Sequence, residues 1–234
     1  MKILAVIPAR GGSKGIPKKN IKLLGDKPLL QFTAEKALAS KLLTKIIVST
    51  DCEEIASVAK SLGLEVPFIR PDHLALDTTP TIEVLQHALT FYENLDVTFD
   101  AVCILQPTTP FRENGFIDKA IEKFTFTNVE TLISVLEVPH QFNPHWTFEL
   151  DDKANLKIAT GETQIIPRRQ ELPKAYYRDG SIYLVKTSLI KEGVLFKDTI
   201  GYIESHAKDH VNLDTMEDWF VAEGILKTDK NKIR

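Results

Sequence analysis

Cysteine is scarce in this chain of 234 residues, occurring only at Cys52 and Cys103. Two cysteines without metal-type spacing exclude a disulfide framework or a cysteine zinc site, and they suit a reducing compartment. No apolar run approaches the ~20 residues that a bilayer-spanning helix requires. The opening apolar run meets Arg10 and Gly11 at once, with no small-residue cleavage pattern, so it does not read as a secretory signal and the cytoplasm is the expected location. Charge of neither sign dominates. With 29 Lys+Arg against 32 Asp+Glu, a net charge of −3, the chain lacks the basic footprint of a duplex nucleic-acid binder, although a small anionic ligand remains compatible. Repeats and low-complexity tracts are missing as well. What is present, 43% hydrophobic, 26% charged and 8% aromatic residues, matches an ordinary globular protein, long enough for one core with an elaboration.

The hydrophobic pattern alternates between two periods. Residues 2–8 (KILAVIP) form a continuous apolar run stopped by Pro8 and two glycines, the pattern of a parallel strand covered on both faces. Helical spacing over 29–42 leads to a β-branched run at 45–50, and 51–62 repeats the helical spacing before a third strand at 65–69. Further helices are expected at 81–92 and 113–124, with buried strands at 101–105 and 131–138. Such alternation predicts an α/β fold: a Rossmann-like, open, mostly parallel sheet with helices on both faces. From about 139 to 175 prolines and short alternating pieces suggest an inserted hairpin region. Core-like strands resume at 180–185 and 199–204, and a helix from about 215 to 227 follows, capped by Thr215. The reading is one domain over 1–227, with 228–234 a frayed polar tail.

The strongest chemical signal is 8–20, PARGGSKGIPKKN, immediately after the first strand. Its glycines permit a backbone turn that aims N–H groups inward, and Arg10, Lys14, Lys18 and Lys19 add positive charge, together making a cradle for a polyphosphate. It is neither a Walker A motif nor the GxGxxG of dinucleotide-binding sheets. A solvated basic loop is the plainer alternative. In an open α/β fold, however, this loop lies at the carboxyl ends of the strands, where ligands bind. Gln106 ends another buried strand at Pro107, so its amide faces the same edge, able to hydrogen-bond a polyol.

Residues 7–21 (IPARGGSKGIPKKNI) closely resemble the opening of the acylneuraminate cytidylyltransferases, which join CTP to a nonulosonic acid to give a CMP-sugar and pyrophosphate. Later blocks agree in order: VSTD at 48–51, RPDHLALD at 70–77, LQPTTPFR at 105–112, RRQELP at 168–173, GSIY at 180–183 and LDTMED at 213–218. The resemblance spans roughly 3–225. It implies a nucleotidyltransferase whose first loop, Arg10 to Asn20 with Gly11, Gly12, Ser13, Lys14 and Lys19, binds CTP. It places Arg70, Thr79 and Thr81 at the cytosine pocket, although Arg70 also suits a surface pair with Asp72 or Asp77. Gln106, Arg169 (with Arg168 as fallback), Tyr177 and Asp179 fall on the acceptor-sugar side. Arg10, Lys14, Lys19 and Asp214 are the implied catalytic set.

The implied cofactor is Mg²⁺, and here the sequence departs from the family. Many relatives carry two aspartates around one apolar residue, whereas this chain has Asn212-Leu213-Asp214. Alternation along an extended segment puts Asn212 and Asp214 on one face, so Asp214 is the expected ligand with Asn212 contributing a carbonyl or a water. A helix cap is the alternative role for Asp214. Asp179 is a second departure, since many relatives carry Asn there and a carboxylate would repel the acceptor's own unless it is protonated, metal-bound or paired with Arg178. None of the six histidines has metal spacing or a clear catalytic setting. A homodimer, with the inserted segment reaching a second subunit, is expected by resemblance. Alternatives are a cytidylyltransferase for 3-deoxy-manno-octulosonate and a non-catalytic nucleotide binder. No nucleic-acid or membrane partner is expected.

Overall fold

The computed structural model describes residues 1–197, 199–206 and 210–232. In chain order the elements are β1 (Ile3–Pro8), β2 (Leu23–Leu24), β3 (Lys27–Pro28), α1 (Leu29–Leu38), β4 (Lys45–Ser49), α2 (Glu53–Ser61), α3 (Thr81–Glu93), β5 (Ala101–Ile104) and α4 (Phe116–Thr127). They continue with β6 (Thr131–Glu137), β7 (Phe148–Leu150), β8 (Leu156–Ile158), β9 (Tyr176–Lys186), α5 (Thr187–Lys191), β10 (Ile200–Glu204) and α6 (Met216–Lys232). Six strands form the central sheet in the order β10-β6-β9-β5-β1-β4. β1 pairs in parallel with β4 and β5, while β9 runs antiparallel to β5.

The alternation of β1 explains why helices cover both faces. Ile3, Ala5 and Ile7 join a cluster with Leu30 and Ala34 of α1, Ile55 of α2 and Phe124 of α4. Leu4 and Val6 turn the other way, packing with Leu85, Ala88 and Leu89 of α3 and Ile190 of α5. Each large aliphatic side chain buried here contributes about 1.5–3 kcal/mol relative to exposure, so a strand buried on both sides anchors the fold. A third cluster matters most for function. Ile16 of the glycine-rich loop packs with Leu24, Leu213 and Trp219, tying that loop to the segment before α6.

Two expectations need correction, and one element was not anticipated. Residues 65–69 make only isolated parallel bridges, Glu65 to Ile47 and Ile69 to Thr50. Pro67 has no N–H to offer a ladder, which explains the interruption. The short hairpin of β2 and β3, turning at Gly25 with φ +67°, was hidden by its length. Finally, α6 continues through Lys232 where a frayed tail was expected from 228. Its start fits a capping box: the Thr215 hydroxyl accepts from the Asp218 N–H at 3.3 Å, and Asp218 accepts from the Thr215 N–H at 2.7 Å. Thr215, not Asp214, thus serves as the cap.

The chain divides into two compact units, 1–134 with 179–234 and 135–178. Within the second, β7 and β8 pair as an antiparallel hairpin whose Phe148, Leu150 and Leu156 are exposed. Trp146 donates its indole N–H to the Ile166 carbonyl at 2.8 Å, and Asn143 donates to the Pro173 carbonyl at 2.9 Å.

Candidate functional site

Within the first unit, a cleft of about 350 Å³ opens where β1 and β5 end. Arg10, Ser13, Lys14, Gly15, Lys19 and Asn20 of the first loop line it, together with Arg70, Asp77, Thr79, Thr81, Gln106 and Asp214. The loop is fixed from below: Ala9 N–H donates to the Ser49 carbonyl at 3.0 Å, and Asn20 donates its amide to the Arg10 carbonyl at 3.0 Å. Asn20 is therefore a buried brace that commits one of its two amide N–H donors to the Arg10 backbone.

The glycines act differently from expectation. None of Gly11, Gly12 and Gly15 has a positive φ; Lys18, at +51°, takes the left-handed position. Gly11 and Gly12 do not line the cleft, and the Gly11 N–H is already bound to Asp51 Oδ1 at 3.0 Å, so the expected inward-facing backbone cradle is not formed there. Gly15 is required for a close approach instead. A Cβ at that position would lie 2.1 Å from the Asp214 carbonyl oxygen.

Every cation of the cleft has a carboxylate neighbour. Arg10 Nη2 lies 2.5 Å from Asp77 Oδ1, and Lys14 pairs with Asp77 Oδ2. These bonds, that of Lys14 foremost, hold the Asp77 carboxyl below its ordinary range. Lys19 donates to the Leu213 carbonyl at 2.7 Å and to Asp214 Oδ1 at 3.2 Å. Arg70 is 4% exposed and stands 3.7 Å from Asp51, too far for a hydrogen bond, and its Nε and Nη2 lack partners. Burial pulls its pKa down, offset in part by Asp51 and reinforced by Arg10. The surface pairing of Arg70 with Asp72 or Asp77 is thereby replaced by a buried guanidinium with spare donors at the cleft wall.

Gln106 lines the cleft, as its place at the end of β5 suggested, and the residue that steadies it is Arg112. Arg112 donates to the backbone carbonyl of Gln106, to Thr109 Oγ1 at 3.0 Å, to Thr33 Oγ1 at 2.8 Å and to the Ser181 carbonyl at 2.8 Å. Complete burial lowers its pKa to about 10. Nothing in the local sequence marks Arg112 as buried; its partners lie up to 79 positions away.

Asp179 is buried behind the cleft. Only 3% exposed and absent from the cleft wall, it accepts from the Ser181 N–H at 2.9 Å and from the hydroxyls of Ser134 and Ser205. Its two oxygens are thus engaged by donors inside the fold. Arg169 and Tyr177 belong to the second unit, where Arg169 lines a hollow with His140, Asn143 and Lys174. Asn212 does not line the cleft; its Nδ2 donates to Asp214 Oδ2 at 2.6 Å. Among the described residues no histidine lines the cleft.

An open α/β sheet whose strand ends gather two arginines and two lysines around one cleft defines a nucleotide-binding protein, suited to a polyphosphate. The sequence profile of the family described as cytidylyltransferase matches residues 4–218, and the chain belongs to that family. It is 35% identical to the CMP-N,N'-diacetyllegionaminic acid synthase of Legionella pneumophila over the full length of both chains. It is 32% identical to the pseudaminic acid cytidylyltransferase of Campylobacter jejuni, covering 97% of each. A solved CMP:2-keto-3-deoxy-manno-octonic acid synthetase complexed with CTP superposes with a TM-score of 0.74 at 16% identity, covering 98% of this chain and 100% of that one, and shares the fold.

Proposed function

We propose that this chain joins CTP to a nonulosonic acid, giving a CMP-sugar and pyrophosphate. The observation that carries the reading is the meeting of Arg10, Lys14, Lys19 and Arg70 with Gln106 on one cleft, in a member of the cytidylyltransferase family. Arg10, Lys14 and Lys19 receive the triphosphate. They stabilise the negative charge that moves onto the leaving pyrophosphate as the acceptor hydroxyl attacks the α-phosphorus. Arg70 offers donors without hydrogen-bond partners to the base, with Thr79 and Thr81 beside it, and Gln106, whose backbone carbonyl accepts from Arg112, offers the acceptor its side-chain amide. Arg169 and Tyr177 of the inserted unit remain acceptor-side candidates.

Mg²⁺ is the cofactor of this reading. Asp214 is an exposed carboxylate on the cleft wall, and rotation of the Asn212 amide would present its oxygen beside it. One carboxylate, one amide oxygen, phosphate oxygens and waters fit the octahedral oxygen preference of Mg²⁺. When bound, the ion would neutralise phosphate charge. The exposed Phe148, Leu150 and Leu156 of the hairpin support a homodimer, and the cytoplasm, where CTP is available, is the proposed setting.

The test supplies purified protein with CTP, Mg²⁺ and a panel of legionaminic, pseudaminic, neuraminic and 3-deoxy-manno-octulosonic acids while pyrophosphate release is followed. Turnover with a nonulosonic acid is expected. CTP binding without turnover on any acceptor at any Mg²⁺ concentration would instead mark a non-catalytic binder.

A further inference from the structure

Asp77 holds a position in the cleft that the cytidylyltransferase reading leaves unexplained. Its two carboxylate oxygens are divided between two cations, Oδ1 facing Arg10 and Oδ2 facing Lys14, as two oxygens of a phosphate would be. The other carboxylate that lines the cleft, Asp214, meets one cation, Lys19, and shares its second oxygen with the Asn212 amide, so Asp77 alone of the two bridges a pair of cations. Asp77 is carried by the turn after the short 3-10 helix Asp72–Leu74, about one-third exposed. Thr79 closes that turn by donating its hydroxyl to the His73 carbonyl at 3.0 Å.

A triphosphate brings several negative charges to the same two cations, and like charges cannot share them without strong repulsion. Ion pairs exposed to this degree are weak enough to be exchanged. We propose that Asp77 is a resident competitor of the triphosphate: it occupies Arg10 and Lys14 in the empty enzyme, yields them to CTP, and reclaims them as pyrophosphate departs. The role rests on the cytidylyltransferase reading. Asp77 then lowers affinity for every ligand that needs both cations and speeds release of the pyrophosphate product, while leaving recognition of the base untouched.

Calorimetric titration of the full chain with CTP, inorganic pyrophosphate and cytidine, in one Mg²⁺ buffer, tests this. Asp77→Asn and Asp77→Ala are expected to bind CTP and pyrophosphate about threefold or more tighter than the wild type, with cytidine unchanged. Pyrophosphate should also become a stronger product inhibitor in both variants. The exposed neighbour Asp72, changed to Asn, should bind all three as the wild type does. Unchanged or weaker pyrophosphate binding in the Asp77 variants would overturn the proposal, because Asp77 would then be organising the cations. Equal tightening for cytidine would overturn it too, by showing that the turn reshapes the base pocket. A wild type that binds no CTP would sink the cytidylyltransferase reading itself.

Discussion

Arg70 and Asn212 show how a single side chain can be costly to the empty protein and useful to the loaded one. Arg70 is buried with two guanidinium nitrogens that lack a hydrogen bond and with Asp51 no nearer than 3.7 Å, and burial already disfavours its charge. A buried charge without full compensation costs stability, so Arg70→Met should leave the melting temperature unchanged or raised. The same variant should weaken CTP binding by about tenfold or more, the scale of losing a charge-assisted hydrogen bond. A thermal melt beside a CTP titration decides it; a lower melting temperature with unchanged CTP affinity would make Arg70 a structural residue. For Asn212 the sign depends on the cation. Its amide donates to Asp214 at 2.6 Å, so Asn212→Asp would set two carboxylates against each other. Without divalent ions the variant should melt below the wild type. Added Mg²⁺ should raise its melting temperature by more than the wild type's, because the cation binds the folded state with one more carboxylate. Equal Mg²⁺ shifts in both proteins would show that this pair does not face the ion.

At the scale of elements, the glycine-rich loop and the segment before α6 behave as one assembly. Ile16 packs with Leu213 and Trp219, Lys19 bonds the Leu213 carbonyl, and Gly15 lies against the Asp214 backbone. Gly15→Ala would place a Cβ 2.1 Å from a carbonyl oxygen, and that contact can be relieved only by separating the two segments. Overpacking of this kind costs about 1–3 kcal/mol. Each kcal/mol corresponds to roughly 2–4 °C in a chain of this size. Turnover should fall more than CTP affinity, since the loop cations and Asp214 lose their common frame; steady-state kinetics and a melt check both. The elements themselves were legible where burial follows periodicity, as in β1, whose alternate side chains face opposite helical layers. The strand expected at 65–69 was over-read, since Pro67 stands in the sequence and a proline within such a run argues against a continuous ladder. The loop's composition announced its cations but not its geometry: Gly11 and Gly12 lie off the cleft, and Lys18 takes the positive φ. Arg112 and Asp179 escaped for a common reason, since their burial depends on partners brought together from distant positions.

Over the whole molecule, burial of histidines sets how stability responds to acid. Burial lowers the pKa of His87, and the charges of Arg70 and His73 lower it further; burial also lowers that of His210, against the pull of Asp179. Both are therefore neutral in the fold at pH values where the unfolded chain, titrating near about 6.5, begins to take up protons. Wherever the unfolded state binds more protons, stability falls as pH falls, so loss begins below the unfolded value and continues down to the depressed folded values. A second loss follows at lower pH. Glu35, held down by its bond from Lys27, and Asp118, held down against burial by Ser40 and the backbone N–H groups of Lys41 and Leu42, keep their charge in the fold until below the usual carboxylate range. The melting temperature should thus decline in two stages on acidification, the first already evident between pH 6.5 and 5. His87 makes the first stage testable by itself, because its ring packs edge-on against Phe68 and its Nδ1 is buried without a partner. His87→Leu removes the titrating group while keeping an apolar side chain there. Its melting temperature relative to the wild type should be more favourable at pH 5.5 than at pH 8. An identical difference at the two pH values would mean that His87 takes up its proton equally readily folded and unfolded, and the first stage would have to come from elsewhere.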